Sequence, residues 1–230
     1  MLLSLPYNLA EKLPGWYAVI ALCAVLSIVF LVRMSRAKQK KAPPSVWKIN
    51  RGFAIFFLTF LTCRVLFIFS DYERLANGQT RLYSTFVLVG FLCVLGGIAV
   101  IAFLADSYML ARPGKTLTWI AVVVFAANVV FIVLAVSTTF IDLSIPRWVL
   151  YISVGIIFII VLFIFFSLAR QSTGTLRRNA ILALLGLGAA LIGSLLDSDA
   201  IVQMNIIPIF LPPIIVFVGL FLFALGQREI

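Results

Sequence analysis

Long apolar runs alternate with short polar segments along this chain. Residues 13 to 32, 82 to 105, 116 to 141, 148 to 169, 179 to 196 and 200 to 227 contain no Asp, Glu, Lys or Arg, and 52 to 70 contains only Arg64. A hydrocarbon core about 30 Å thick takes about 20 helical residues to cross, so each run predicts one transmembrane helix. The predicted helices lie near 16–33, 52–71, 84–106, 117–137, 147–169, 180–196 and 206–226. Short connections make consecutive helices antiparallel neighbours. The expected fold is therefore an all-α membrane protein: a single domain, 1–230, of seven transmembrane helices in an antiparallel bundle.

Composition agrees with that pattern. The chain is 63% hydrophobic and 11% charged, with a mean hydropathy of +1.18, against roughly 45–50% apolar and about 25% charged in soluble domains. The opening MLLSLPYNLAEKLPGW has no basic stretch ahead of its apolar residues and no small-residue cleavage pattern, so it is expected to stay in the mature protein. Cys23, Cys63 and Cys93 fall in three different predicted helices and read as buried small residues, with no spacing for a disulfide framework or a metal. With no His in the chain, His-based metal ligation, general-base catalysis and haem ligation are excluded.

Charge orders the two faces. Of 18 Lys and Arg, 13 fall on one side (Arg33, Arg36, Lys38, Lys40, Lys41, Lys48, Arg51, Arg112, Lys115, Arg170, Arg177, Arg178 and Arg228), while Lys12, Arg74, Arg81 and Arg147 fall on the other. The positive-inside rule then predicts the N-terminus outside and the C-terminus in the cytoplasm of a multi-pass protein of the cell (plasma) membrane. Residues 34–51 are expected as a basic cytoplasmic loop, halted by Pro43 and Pro44, that attracts anionic lipids or a soluble partner. Nucleic acid is not expected, because no folded soluble region exists to hold bases. Trp16, Tyr17, Tyr72, Tyr83, Trp148 and Tyr151 mark outer helix ends; Trp47, Tyr108 and Trp119 mark inner ones.

Packing follows from small residues. Gly186xxxAla190 and Ala189xxxGly193 in predicted helix 6, and the Gly and Ala of helix 3, let backbones approach closely, which places these two helices in the interior. Phe-rich helices 2 and 5 are expected to face lipid over more of their girth. In helix 7, Pro212 and Pro213 remove two backbone donors, predicting a kink or a delayed start, with a gating or a packing role.

Arg64 carries the candidate chemistry, since a charge near mid-bilayer costs at least about 2.5–3.5 kcal/mol and is functional by default. Asp71, on the same helical face, and Asn128, at similar depth in helix 4, are its expected partners in a ligand site. Asp106, at the inner end of helix 3, is expected to pair with Arg112, Arg170 or Arg177. Asp197, Ser198, Asp199, Gln203 and Asn205, with Asp142 and Glu73, form an acidic outer rim.

Seven helices in this orientation are similar in topology to three known groups. Microbial rhodopsins need a Lys in helix 7, and no predicted helix here contains one. The main class of G-protein-coupled receptors has Asp-Arg-Tyr at the inner end of helix 3, which Asp106, Ser107 and Tyr108 resemble in part, and Asn-Pro in helix 7, where Pro208 follows Ile207. Sugar transporters of the PQ-loop type are similar in topology, but no Pro-Gln dipeptide occurs. The function expected is a non-enzymatic, sensor- or receptor-like module binding a small ligand or partner near Arg64. A small transporter or ion pathway and an accessory subunit of a larger membrane complex are the alternatives. No paired membrane carboxylates, activated nucleophile, metal or cofactor motif appears.

Overall fold

The computed structural model describes residues 9–109, 115–138, 142–197 and 207–227. Its elements are α1 (Leu9–Gln39), α2 (Pro44–Asn77), α3 (Arg81–Leu104), a π-helical turn (Ala105–Met109), α4 (Thr116–Ser137), α5 (Ser144–Gln171), α6 (Gly174–Leu196) and α7 (Leu211–Leu225). Among the described residues, six of the seven α-helices are long and apolar enough to cross a membrane. The last, with 15 residues, is the short one. The chain is an all-α, membrane-type helical bundle.

Most helices overrun their apolar cores. The 31 residues of α1 and 34 of α2 correspond to about 46 Å and about 51 Å, longer than a hydrocarbon core of about 30 Å. The stretch 34–51 is therefore not a loop: α1 continues through Ala37 and Lys38 to Gln39, α2 begins at Pro44, and only residues 40–43 join them. Good helix formers extend α1. It ends in a Schellman turn, with Ala42 N–H donating to Ala37 O at 2.9 Å and Lys41 N–H to Lys38 O at 3.1 Å. Lys41 adopts the left-handed φ of 52° that the turn requires. Pro44 opens α2 at a position whose N–H has no helical partner to lose.

The fold divides into two compact units, Ala24–Val161 and Met1–Cys23 with Leu162–Ile230. In the 24–161 unit, α2 packs along α3, and α3 along α4. Its core is aromatic: the Phe30 ring lies 5.3 Å from Phe53 and 5.7 Å from Phe57, and Phe56 lies 5.3 Å from Phe57. These rings correct the expectation that α2 turns its phenylalanines to lipid. In its most apolar window α2 is 44% buried, close to the 50% of α3, whereas α4 at 22% is the most exposed.

In the terminal unit α6 and α7 lie backbone to backbone. A Cβ added at Gly219 would come 2.6 Å from Ala190 N and from Gly186 O, and one at Gly193 would come 2.9 Å from Pro212 O. Asn179, Ala183, Gly186, Ala190 and Gly193 form the buried α6 side of this seam, while an added Cβ at Gly188 would meet nothing within 4 Å. Small side chains let the two helices approach to a distance at which dispersion substitutes for the missing hydrophobic drive.

Gly219→Leu should therefore wedge the pair apart and lower the detergent-solubilised melting temperature by several degrees or abolish folding. Gly188→Ala, which gains helix propensity of about 0.5–1 kcal/mol, should leave the melting temperature unchanged or raise it. Equal effects of the two changes would refute the seam.

Candidate functional site

Arg64 is 3% exposed, deep in α2. Its guanidinium carbon lies 5.1 Å from the Phe60 ring centroid and 5.6 Å from that of Phe67. Phe60 and Phe67 stand four residues before and three after Arg64, the spacing that stacks side chains on one helical face. Asp71 follows on the same face, half-buried and about 10.5 Å further along the axis. The charge is thus turned inward and cradled by rings.

Asn128 is 4% exposed near the middle of α4. Its Nδ2 donates to Val124 O at 2.8 Å and to Ser153 Oγ at 3.0 Å, and Ser153 Oγ donates to Val149 O at 2.8 Å. The amide therefore joins α4 to α5. Its hydrogen bonds go to Ser153 and its own helix, not to Arg64 as the sequence predicts. Asn128 Oδ1 is buried and accepts no hydrogen bond among the described residues.

Asp106, 1% exposed, sits in the π-helical turn that ends α3. Its Oδ2 accepts from Thr118 N at 2.8 Å and from Thr118 Oγ1 at 3.1 Å. Lys115, the N-cap residue of α4, has φ 43° and gives no side-chain cap. Asp106 takes over that duty from the preceding helix, placing negative charge at the positive end of the α4 dipole. Of the partners expected for Asp106, Arg112 lies outside the described residues, and the carboxylate's hydrogen bonds go to Thr118. Asp106 Oδ1 and Ser107 Oγ are buried with no hydrogen-bond partner among the described residues.

Arg81, in the first turn of α3, does the reverse at the far end of α4. Its Nη2 donates to Val136 O and Thr138 O, each at 2.7 Å, and to Ala135 O at 3.3 Å. Those carbonyls belong to the last turn, where no helical N–H remains to meet them. Beside Arg81 the Tyr83 ring, 3% exposed, has Arg147 at 5.4 Å and Arg74 at 5.9 Å from its centroid. Arg147 also donates to Ser84 Oγ at 3.2 Å.

The expected acidic rim is structural where it is described. Glu73 accepts from Asn77 Nδ2 at 3.0 Å and from Thr80 Oγ1 at 2.8 Å, while Thr80 Oγ1 caps α3 by accepting from Tyr83 N. Asp142 accepts from Ser144 N at 2.9 Å at the start of α5. The Ser144 backbone and side-chain hydrogen bonds, with Arg147 nearby, hold the Asp142 carboxyl below its ordinary value. Asp197, at the end of α6, forms an ion pair with Lys12 of α1 at 2.9 Å, their side chains 11% and 4% exposed. Ser198, Asp199, Gln203 and Asn205 lie outside the described residues, as do Arg228 and Glu229.

Pro212 and Pro213 stand within the first turn of α7, so their missing N–H groups cost no helical hydrogen bond and the helix is delayed instead of kinked. Both are buried, with Pro213 against Gly15 and Pro212 O against Gly193. Trp16, expected at the interface, is only 3% exposed, whereas Trp119 and Trp148 are 65% and 64% exposed at the starts of α4 and α5. No group of three or more His, Cys, Asp or Glu among the described residues could hold a metal ion.

Arg81→Ala and Asp106→Ala should each cost about 0.5–2 kcal/mol. Amide exchange should rise only at the C-terminal turn of α4 in the first variant and only at its N-terminal turn in the second. The two losses should add, because the ends are about 30 Å apart; uniform loosening of α4 by either variant would contradict the paired caps. For Asp142, a carboxyl whose folded pKa is depressed stabilises above its unfolded value of about 3.9 and stops doing so as pH falls through the folded value. Exchange protection at the start of α5 should therefore fall with acidification below pH of about 4, and Asp142→Asn should remove that pH dependence.

Comparison with protein-family models, with curated proteins and with solved structures finds no match to this chain.

Proposed function

We propose that this chain is a non-enzymatic, sensor- or receptor-like seven-helix module of the cell membrane that binds a small anionic ligand, or an anionic group of a partner, near Arg64. In this reading the N-terminus faces outward, and the basic ends of α1 and α2 meet anionic headgroups or a soluble partner in the cytoplasm. The inward turn of Arg64, 3% exposed between Phe60 and Phe67, is the observation that carries it.

Placing Arg within the membrane costs at least about 2.5–3.5 kcal/mol, which makes it a candidate for function. A guanidinium offers five N–H donors in a planar fork suited to carboxylate or phosphate. The neighbouring rings favour an anion with an apolar or aromatic body.

The test is thermal unfolding of the purified chain in detergent with benzoate, medium-chain fatty acids and inorganic phosphate as probes. At least one anion should raise the melting temperature of the wild type by about 5 °C near saturation. Arg64→Leu should melt at or above the wild-type temperature and lose the shift, and Arg64→Lys should keep part of it. A large fall in the melting temperature of Arg64→Leu, with no anion shifting the wild type, would assign Arg64 to packing.

A further inference from the structure

The exposed face of α1 carries a shallow, open depression of about 380 Å³ lined by Ile28, Leu31, Val32, Ser35, Arg36 and Gln39. These residues recur at three- and four-residue intervals, so they make a single stripe. Its first half is apolar and exposed, Ile28 at 60%, Leu31 at 40% and Val32 at 42%, and its second half is polar and exposed.

The basic residues around it are not equivalent. Arg33 lies 5.3 Å from the centroid of the buried Phe30 ring, and Lys38 and Lys48 lie 4.8 Å and 5.6 Å from that of Trp47. Arg36 is exposed, and its guanidinium makes no hydrogen bond, ion pair or ring contact among the described residues. It is the cation at the groove that remains available to an outside anion.

We infer that this face seats one anionic phospholipid, its phosphate against Arg36 and an acyl chain along Ile28, Leu31 and Val32. This rests on the reading that the basic end of α1 lies at the headgroup level. The charge-free run 13 to 32 ends one residue before Arg33, so Arg36 falls where the apolar phase gives way to phosphates. Ile28 lies about 12 Å deeper along the axis, within the hydrocarbon, which a soluble protein cannot reach and an acyl chain can. Residues 33–51 carry seven Lys and Arg and no Asp or Glu, which favours a lipid of net negative charge over a zwitterionic one.

Native mass spectrometry of the full chain, released from nanodiscs of phosphatidylcholine with a minor fraction of phosphatidylglycerol, tests the seat. One phosphatidylglycerol per wild-type chain should survive release. Retention should drop about tenfold in Arg36→Gln, which removes the headgroup contact, and similarly in Leu31→Trp, which fills the groove. The double variant Lys40→Gln, Lys41→Gln should reduce general enrichment of the anionic lipid around the chain and leave the retained molecule in place. Wild-type retention in both groove variants, with loss only in the lysine variant, would overturn the seat while keeping the headgroup-level placement. No preference for phosphatidylglycerol in the wild type would overturn both.

Discussion

The free N–H and C=O groups at the ends of a helix need partners, and in α4 neighbouring side chains supply them. α4 is apolar over nearly its whole length and only 22% buried in its most apolar window, so hydrophobic burial does little to fix its position along its own axis. The end groups fix it instead. Asp106 holds Thr118 at one end and Arg81 holds Ala135, Val136 and Thr138 at the other. Both side chains come from the run that starts at α3 and closes with its π-helical turn, and each opposes the nearby pole of the α4 dipole. Midway, Asn128 adds the tie to Ser153, a contact that inside membranes averages about 0.6 kcal/mol. The polar groups that look least suited to a membrane thus set the register of its most lipid-facing helix.

Buried charges among the described residues sit in different surroundings. Asp106 meets a helix N-terminus, Lys12 and Asp197 pair with each other at 2.9 Å, and Arg64 lies against the rings of Phe60 and Phe67. The first two arrangements secure helix ends: loss of the cap costs about 0.5–2 kcal/mol, and removing one partner of the buried Lys12–Asp197 pair about 3–5 kcal/mol. Arg64 lies far from either end of α2 (Pro44–Asn77), at a position where an apolar residue would meet the same packing.

Much of the fold is legible in the sequence because lipid imposes a coarse rule: a charge-free run of sufficient length becomes a helix. Among the described residues each charge-free run contains one α-helix, and Gly186 and Ala190 meet α7 in the seam that their spacing implies. Boundaries are less legible, since Ala37, Lys38 and Gln39 continue α1 into water on propensity alone, and charge marks only where the apolar phase stops. The pairing of charges is the least legible. Lys12 and Asp197 are 185 residues apart in sequence, and nothing local to either marks the other. Arg81 looks like one more flanking cation until α3 and α4 are placed side by side. Asn128 could be identified as costly, but its partner, a serine among many, could not. The phenylalanines of α2 mislead for a related reason: in lipid an apolar side chain is at home on either face, so ring stacking decides, and stacking depends on partners such as Phe30 that lie on another helix.

The helical continuation of α1 and α2 past the charge-free runs changes what the basic residues can do. On a loop, seven cations would sample many positions and act on a membrane as an average field that falls off within a Debye length, about 8 Å at physiological salt. On two helices joined through residues 40–43, the five cations on helical residues, Arg33, Arg36, Lys38, Lys48 and Arg51, each occupy a set angle and height. Lys38 and Lys48 are drawn to Trp47 and Arg33 to Phe30, while Arg36 is directed outward beside Ser35 and Gln39. A fixed cation above an apolar stripe recognises an anion and its tail together. An averaged field recognises only charge. The Schellman turn at Lys41 therefore does more than end a helix, because by passing the chain from α1 to α2 within residues 40–43 it leaves most of the polybasic segment on helical positions that can differ in function.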